Sequence, residues 1–214
     1  MDEDLSIINT NTRNEKIKNF FLKNKKKLIA FLLVLILVLI SFFGYKEFKK
    51  RQKIQISNLY NSTILSHSKK NRDLTISNLE EIILKKDTTY SPLSLYFIID
   101  NGLIDNSSKI NSFFDILINE TPLEKEIRNL VIYKKGLYNA DQVDENTLIN
   151  ILNPIINSES VWRSHGLYLL AEYFYSKNEK KKSKEFFETI LKTENANQNL
   201  IIESQKRLSR DLSE

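Results

Sequence analysis

Between Leu28 and Tyr45 the chain reads LIAFLLVLILVLISFFGY, with no charge and no polar period; fourteen of the sixteen residues Leu28–Phe43 are Leu, Ile, Val or Phe. A helix of this composition is apolar on every side. Each such residue contributes roughly −0.3 to −0.6 kcal/mol on insertion, so several kcal/mol in total favour a bilayer. At about 1.5 Å per residue the stretch reaches about 27 Å, close to the roughly 30 Å hydrocarbon core. Leu28, Phe31, Leu35, Leu39 and Phe43 mark successive turns of the expected transmembrane helix. A buried core helix and a cleaved signal peptide are the competing readings. The first would keep a polar stripe, and the second would have a shorter apolar run ending in small residues. This run ends Ser41-Phe42-Phe43-Gly44-Tyr45-Lys46, with rings where a peptidase requires small side chains.

Beyond the span the pattern changes to one of helical faces. Ile54, Ile56, Leu59, Tyr60, Ile64 and Leu65 recur at helical spacing, and no Gly or Pro lies between Lys46 and Lys53. The membrane helix is therefore expected to continue out of the bilayer. After Tyr45 there are only three Gly and three Pro, and apolar positions recur at three and four residues rather than two. That predicts an all-α chain and argues against sandwiches, barrels and doubly wound sheets. Helices are expected near 46–70, 73–86, 91–103, 107–119, 122–139, 144–157, 160–177, 179–193 and 197–212. Ser91-Pro92 and Thr121-Pro122-Leu123-Glu124 read as helix starts, a hydroxyl cap before Pro at the first helical position, with Glu124 completing a capping box.

Charge divides the chain in the same place. Residues 1–53 hold twelve Lys and Arg against five acids, while 54–214 hold twenty against twenty-two, so the net +5 is a juxtamembrane property. A slightly acidic downstream domain excludes the basic stripe that nucleic-acid binding requires. Seven basic residues precede the span (Arg13 to Lys27) and five follow it (Lys46 to Lys53), which favours a cytoplasmic N-terminus. The expected layout is a cytoplasmic basic tail (1–27) with a flexible polar start, a transmembrane helix (28–45), a juxtamembrane extension (46–54) and a folded domain (55–214). Within the tail, Ile17, Phe20, Phe21 and Leu22 stand among lysines. Two readings stay open for them: a short interfacial helix on anionic headgroups, or snorkelling lysines.

Few residues carry chemistry. Cysteine is absent, which removes disulfides, thiolate metal sites and a cysteine nucleophile. His67 and His165 have no Cys, Asp or Glu at ligand spacing, and Gly44, Gly102, Gly136 and Gly166 stand singly, so neither a metal site, a cofactor nor a phosphate loop is expected. No enzyme constellation is present. The runs Lys180-Lys181-Lys182-Lys184 and Asp141–Glu145 read as solvated charge. The triplets at Asn61, Asn106 and Asn119 read as chance matches in an Asn-rich chain. The aromatic set Tyr96, Phe97, Phe113, Phe114, Tyr133, Tyr138, Tyr168, Tyr173 and Tyr175 is too large for one stripe, so some rings should face outward. Trp162-Arg163, opening a helix, reads either as a partner contact or as packing into the preceding hairpin, with packing preferred.

The expected hairpins begin near residues 55, 91, 122, 160 and 197. Their spacing brackets the period of about 34 residues of tetratricopeptide repeats. In the last hairpin Leu170, Ala171 and Phe174, a turn at Asn178-Glu179, then Ser183, Phe187 and Ile190 reproduce the repeat's order of large, small, aromatic, turn, small, aromatic, apolar. Ala171 and Ser183 allow close approach, and Phe174 and Phe187 fill the groove. Asn178 stands where Gly is usual, Asn195 where Pro is usual, and Ile190 where a small residue is usual.

With Asn153-Pro154, Val161-Trp162-Arg163, LLAEYFYSKNEKKKSKEFFETILK and Leu200 to Leu208, the chain resembles the YfgM-type ancillary subunits of the bacterial SecYEG translocon, in their alphaproteobacterial branch. The architecture is similar over nearly the whole chain, and the motifs over about residues 150–212. The resemblance implies a single-pass inner-membrane protein with a periplasmic tetratricopeptide-like α-solenoid, binding the SecYEG translocon and periplasmic chaperones and assisting the handover of exported chains. A periplasmic scaffold for envelope assembly or cell division is the alternative.

Overall fold

The computed structural model describes residues 2–212, with side chains from Asn14 onward. Among the described residues it is all-helical, without a strand. Its nine α-helices are α1 (Asp2–Ser66), α2 (Arg72–Leu84), α3 (Tyr90–Asp100), α4 (Ser107–Asp115), α5 (Lys125–Asn139), α6 (Glu145–Ile156), α7 (Arg163–Ser176), α8 (Lys180–Lys192) and α9 (Gln198–Asp211). α4 loosens into a π-helical turn over Ile116–Glu120. The chain divides into two units, one ending at Gln55 and the other beginning at Ile56.

In the first unit the polar start, expected to be flexible, is helical from Asp2. No Gly or Pro precedes Gly44, so nothing in the chain interrupts the ladder. Among the described residues one helix is long and apolar enough to cross a membrane, and none of its apolar window is buried by protein.

In the second unit consecutive helices pack on one another around two apolar clusters. The first joins Ile56 at the end of α1 to Leu79 and Ile82 of α2, Leu95 and Ile98 of α3, and Phe114 of α4. The second joins Leu148 and Leu152 of α6, Leu170 and Phe174 of α7, and Phe187 and Ile190 of α8. α5 serves both, because adjacent residues on a helix diverge by about 100°: Val131 belongs to the first and Ile132 to the second.

Both expected hydroxyl caps are displaced. Ser91 lies inside α3 and donates from Oγ to the Ile82 carbonyl at 2.8 Å, fastening α3 to α2. The start of α3 is held instead by Asp87, whose Oδ1 accepts from Thr89 N (2.9 Å) and Tyr90 N (2.8 Å). Thr121 closes the preceding element rather than opening α5, its Oγ1 donating to Ile116 O at 3.1 Å. α5 begins at Lys125 after an extended Glu124. Asn106 does cap α4, accepting from Lys109 N at 3.0 Å.

The turns use left-handed residues where the chain must stop and reverse. Gly102 has φ +56° and Asn178 has φ +62°. At Asn178 the Glu179 N–H donates to Phe174 O (2.9 Å) and the Asn178 N–H to Tyr175 O (3.0 Å), which satisfies the last carbonyls of α7. Asn therefore performs the turn role that Gly usually fills.

Candidate interaction face

α3 and α5 leave a groove between them. Pro92, Leu93 and Tyr96 of α3, Pro122 and Leu123 of the connection, and Ile127 and Leu130 of α5 line a cavity of about 520 Å³. It is apolar at its rim too, since Leu93 and Ile127 are exposed. Tyr96 also borders a smaller recess of about 130 Å³ with Ile99, Lys134 and Leu137. The Tyr96 hydroxyl is buried without a hydrogen-bond partner, and burial pushes it up to about 12. The Lys134 ammonium stands 5.7 Å from the centre of the same ring. Mostly apolar walls, with Glu124, Asp100 and Lys134 as the charged groups at the two recesses, suit an apolar segment of a partner.

Across α5 a second aromatic set faces α7. Trp162 stacks on Tyr133, with centroids 5.7 Å apart and planes 20° off parallel, and His165 completes the trio 5.0 Å from Trp162. Trp162 is half-buried, so the preferred reading, packing on the preceding hairpin, describes its contacts. Glu126 of α5 sets the position of this segment: its Oε2 accepts from Ser160 Oγ at 2.7 Å and from Val161 N at 3.2 Å. Burial holds His165 below its usual pKa, so the ring stays neutral near pH 7.

Trp162 and Arg163 do not act as a pair. Arg163 lines a different, polar cavity of about 710 Å³, formed by the start of α7 and the α8–α9 connection with Ser160, Thr189, Thr193 and Asn195. Its Nε is buried and makes no hydrogen bond. One half of the dipeptide joins the aromatic trio and the other a polar hollow.

The six residues read as repeat packing, Leu170, Ala171, Phe174, Ser183, Phe187 and Ile190, are all buried at the α7–α8 contact. Leu28, Phe31, Leu35, Leu39 and Phe43 all lie on α1; of these Phe31, Leu35, Leu39 and Phe43 are exposed. Of the nine rings of the aromatic set, Phe113, Phe114 and Tyr173 are buried, and the other six are half-buried, packed in part against neighbouring helices and in part open to solvent. The two charge runs meet, which linear reading missed. Lys182 Nζ lies 2.7 Å from Glu145 and 2.8 Å from Glu179, over the Phe174 ring. His67 donates or accepts at Thr75 Oγ1 (3.3 Å) and sits edge-on to Phe97.

Two glycines also matter for a reason their isolation hid. A Cβ on Gly136 would stand 2.5 Å from Leu152 Cδ2, and one on Gly166 2.9 Å from Ile155 Cδ1. They let α6 approach α5 and α7 closely. The available signal was a lone glycine within each helical pattern, where it costs about 1 kcal/mol against Ala unless packing requires it.

No family model matches the chain, and no curated protein or solved structure matches it significantly.

Proposed function

We propose that this is a single-pass membrane protein whose helical-repeat domain binds other proteins, with the N-terminus cytoplasmic and the domain periplasmic. In this reading it is an ancillary subunit of the SecYEG export channel: Leu28–Tyr45 and the juxtamembrane lysines dock beside the channel, and the α3–α5 groove takes a chaperone or an exported chain. Support for a tetratricopeptide-like solenoid comes from the α7–α8 hairpin, where the small residues Ala171 and Ser183 and the rings of Phe174 and Phe187 are all buried. The observation that carries protein binding is the apolar groove at Leu93, Tyr96 and Ile127, where two exposed aliphatic side chains border one recess of about 520 Å³. The export channel itself is named by the sequence resemblance.

The test uses the cysteine-free chain. Exposed Asn19→Cys and Ser209→Cys variants, treated in intact cells with a membrane-impermeant maleimide, should label only at position 209. Purification from membranes at endogenous level should then enrich channel subunits. Leu93→Asp with Ile127→Asp should release the groove's occupant and keep the channel. Absence of channel enrichment overturns the export reading.

A further inference from the structure

The residues just before the span carry a pattern that the groove does not use. Ile17, Phe20, Phe21, Asn24 and Leu28 follow at intervals of three and four, which places them on one face of α1. Ile17, Phe20 and Phe21 are 47%, 58% and 57% exposed. Lys16, Lys18, Lys23, Lys25, Lys26 and Lys27 share the same twelve residues with no acid among them. At about 100° per residue, Lys16, Lys23 and Lys27 fall on one flank of the apolar stripe and Lys18 and Lys25 on the other, each roughly 90° from its middle. Only Lys26 stands opposite, and only Leu22 lies off the apolar stripe.

We propose that Lys16–Lys27 is a second membrane-binding element, an amphipathic helix that docks on the anionic headgroups of the leaflet bordering Leu28. Lysines on both flanks let the aliphatic stems lie along the apolar boundary while the ammonium groups reach lipid phosphates. The partner follows from charge and from chain connection. Six cations without an acid complement an anionic surface, and Lys27 adjoins the first residue of the span, so the segment is always held at a bilayer. Along a straight helix axis Phe21 stands about 10 Å beyond Leu28. The headgroup layer on one side is only about 5–8 Å deep, so both rings would be in water. Laid against the surface they are covered. This requires the axis of α1, continuous in the structure, to turn between Asn24 and Leu28 at an anionic bilayer. Asn24 is the polar residue of the stripe, and its Nδ2 donates to the Phe20 carbonyl at 3.0 Å.

The experiment uses the full chain in vesicles of phosphatidylcholine alone or with phosphatidylglycerol, each variant carrying one environment-sensitive fluorophore at a new cysteine. The proposal rests on the span, so Leu35→Cys serves as its control and should be dry in both lipids. Ile17→Cys, on the stripe and about 16 Å from Leu28 along a straight axis, should be blue-shifted and roughly threefold or more protected from an aqueous quencher in anionic vesicles. It should be quenched in neutral ones, and high salt should remove the protection. Asn19→Cys, on the far side, should be quenched in both. Adding Phe20→Ser and Phe21→Ser should abolish the protection with every lysine kept. Equal quenching of the Ile17 probe in both lipids, wet or dry, overturns the proposal. A wet Leu35 probe overturns the span and the surface helix together.

Discussion

Leu28–Phe43 and the interior of α2–α9 are built from the same Leu, Ile, Val and Phe, and their surroundings are opposite. Phe31 is 68% exposed and Phe174 is 1% exposed. The difference lies in spacing. In α8 the buried Ser183, Phe187 and Ile190 alternate with polar residues, so one face packs on protein and the other meets water. In the span no polar face exists, and covering one side with protein would leave the other bare. An all-round apolar helix is therefore matched by lipid, and a striped one by another helix.

The comparison can be broken most strongly from the packed side. Phe174→Ala should cost about 3–5 kcal/mol by emptying a filled site between α7 and α8. Phe31→Ala should leave thermal unfolding of the domain unchanged, as read by circular dichroism in detergent. A charge attacks the other region: Leu35→Arg should cost about 2.5–3.5 kcal/mol of insertion and move protein out of the membrane fraction, with domain unfolding unaltered. Equal effects of these two changes on the domain would show that both regions have the same surroundings.

Smaller changes sharpen the packed side. Gly136→Leu should cost about 1–3 kcal/mol, because α5 and α6 meet there at Leu152. Gly44→Leu, where nothing lies within 4 Å, should not change domain stability. The smallest effect is a pH dependence. His165 has a folded pKa below its ordinary 6.5 because burial disfavours the charged ring. Its contribution is therefore complete above about 6.5 and is lost as the unfolded chain takes up the proton first on acidification. His165→Gln should flatten the unfolding profile as pH falls below about 6.5. Asp211 lies in a lower window: its hydrogen bond with Arg210, and then Arg207, hold it down at about 2, so its loss begins only below the ordinary 3.8.

Most helix positions were legible because each helix has an apolar stripe and a marked end. The expected 144–157 is observed as α6 over Glu145–Ile156, and 179–193 as α8 over Lys180–Lys192. The caps were less so. A hydroxyl before Pro satisfies the local rule at Ser91 and Thr121, but the nearby Ile82 and Ile116 carbonyls take those hydroxyls instead. The groove was hidden more deeply. Tyr96 and Ile127 are thirty-one residues apart, and neither is unusual within its own helix.

By itself the sequence determined the all-helical class, the place of the long uncharged stretch and the imbalance of charge around it. Those features depend on composition and on periods shorter than one helix, so local physics is enough. Tertiary structure alone decided that Trp162 stacks on Tyr133 while Arg163 enters another cavity, that Lys182 reaches Glu145, and that Gly136 and Gly166 are contact points. Each of these joins residues from different helices. Which faces meet depends on how all the helices share the interior, and no single stretch of chain contains that information.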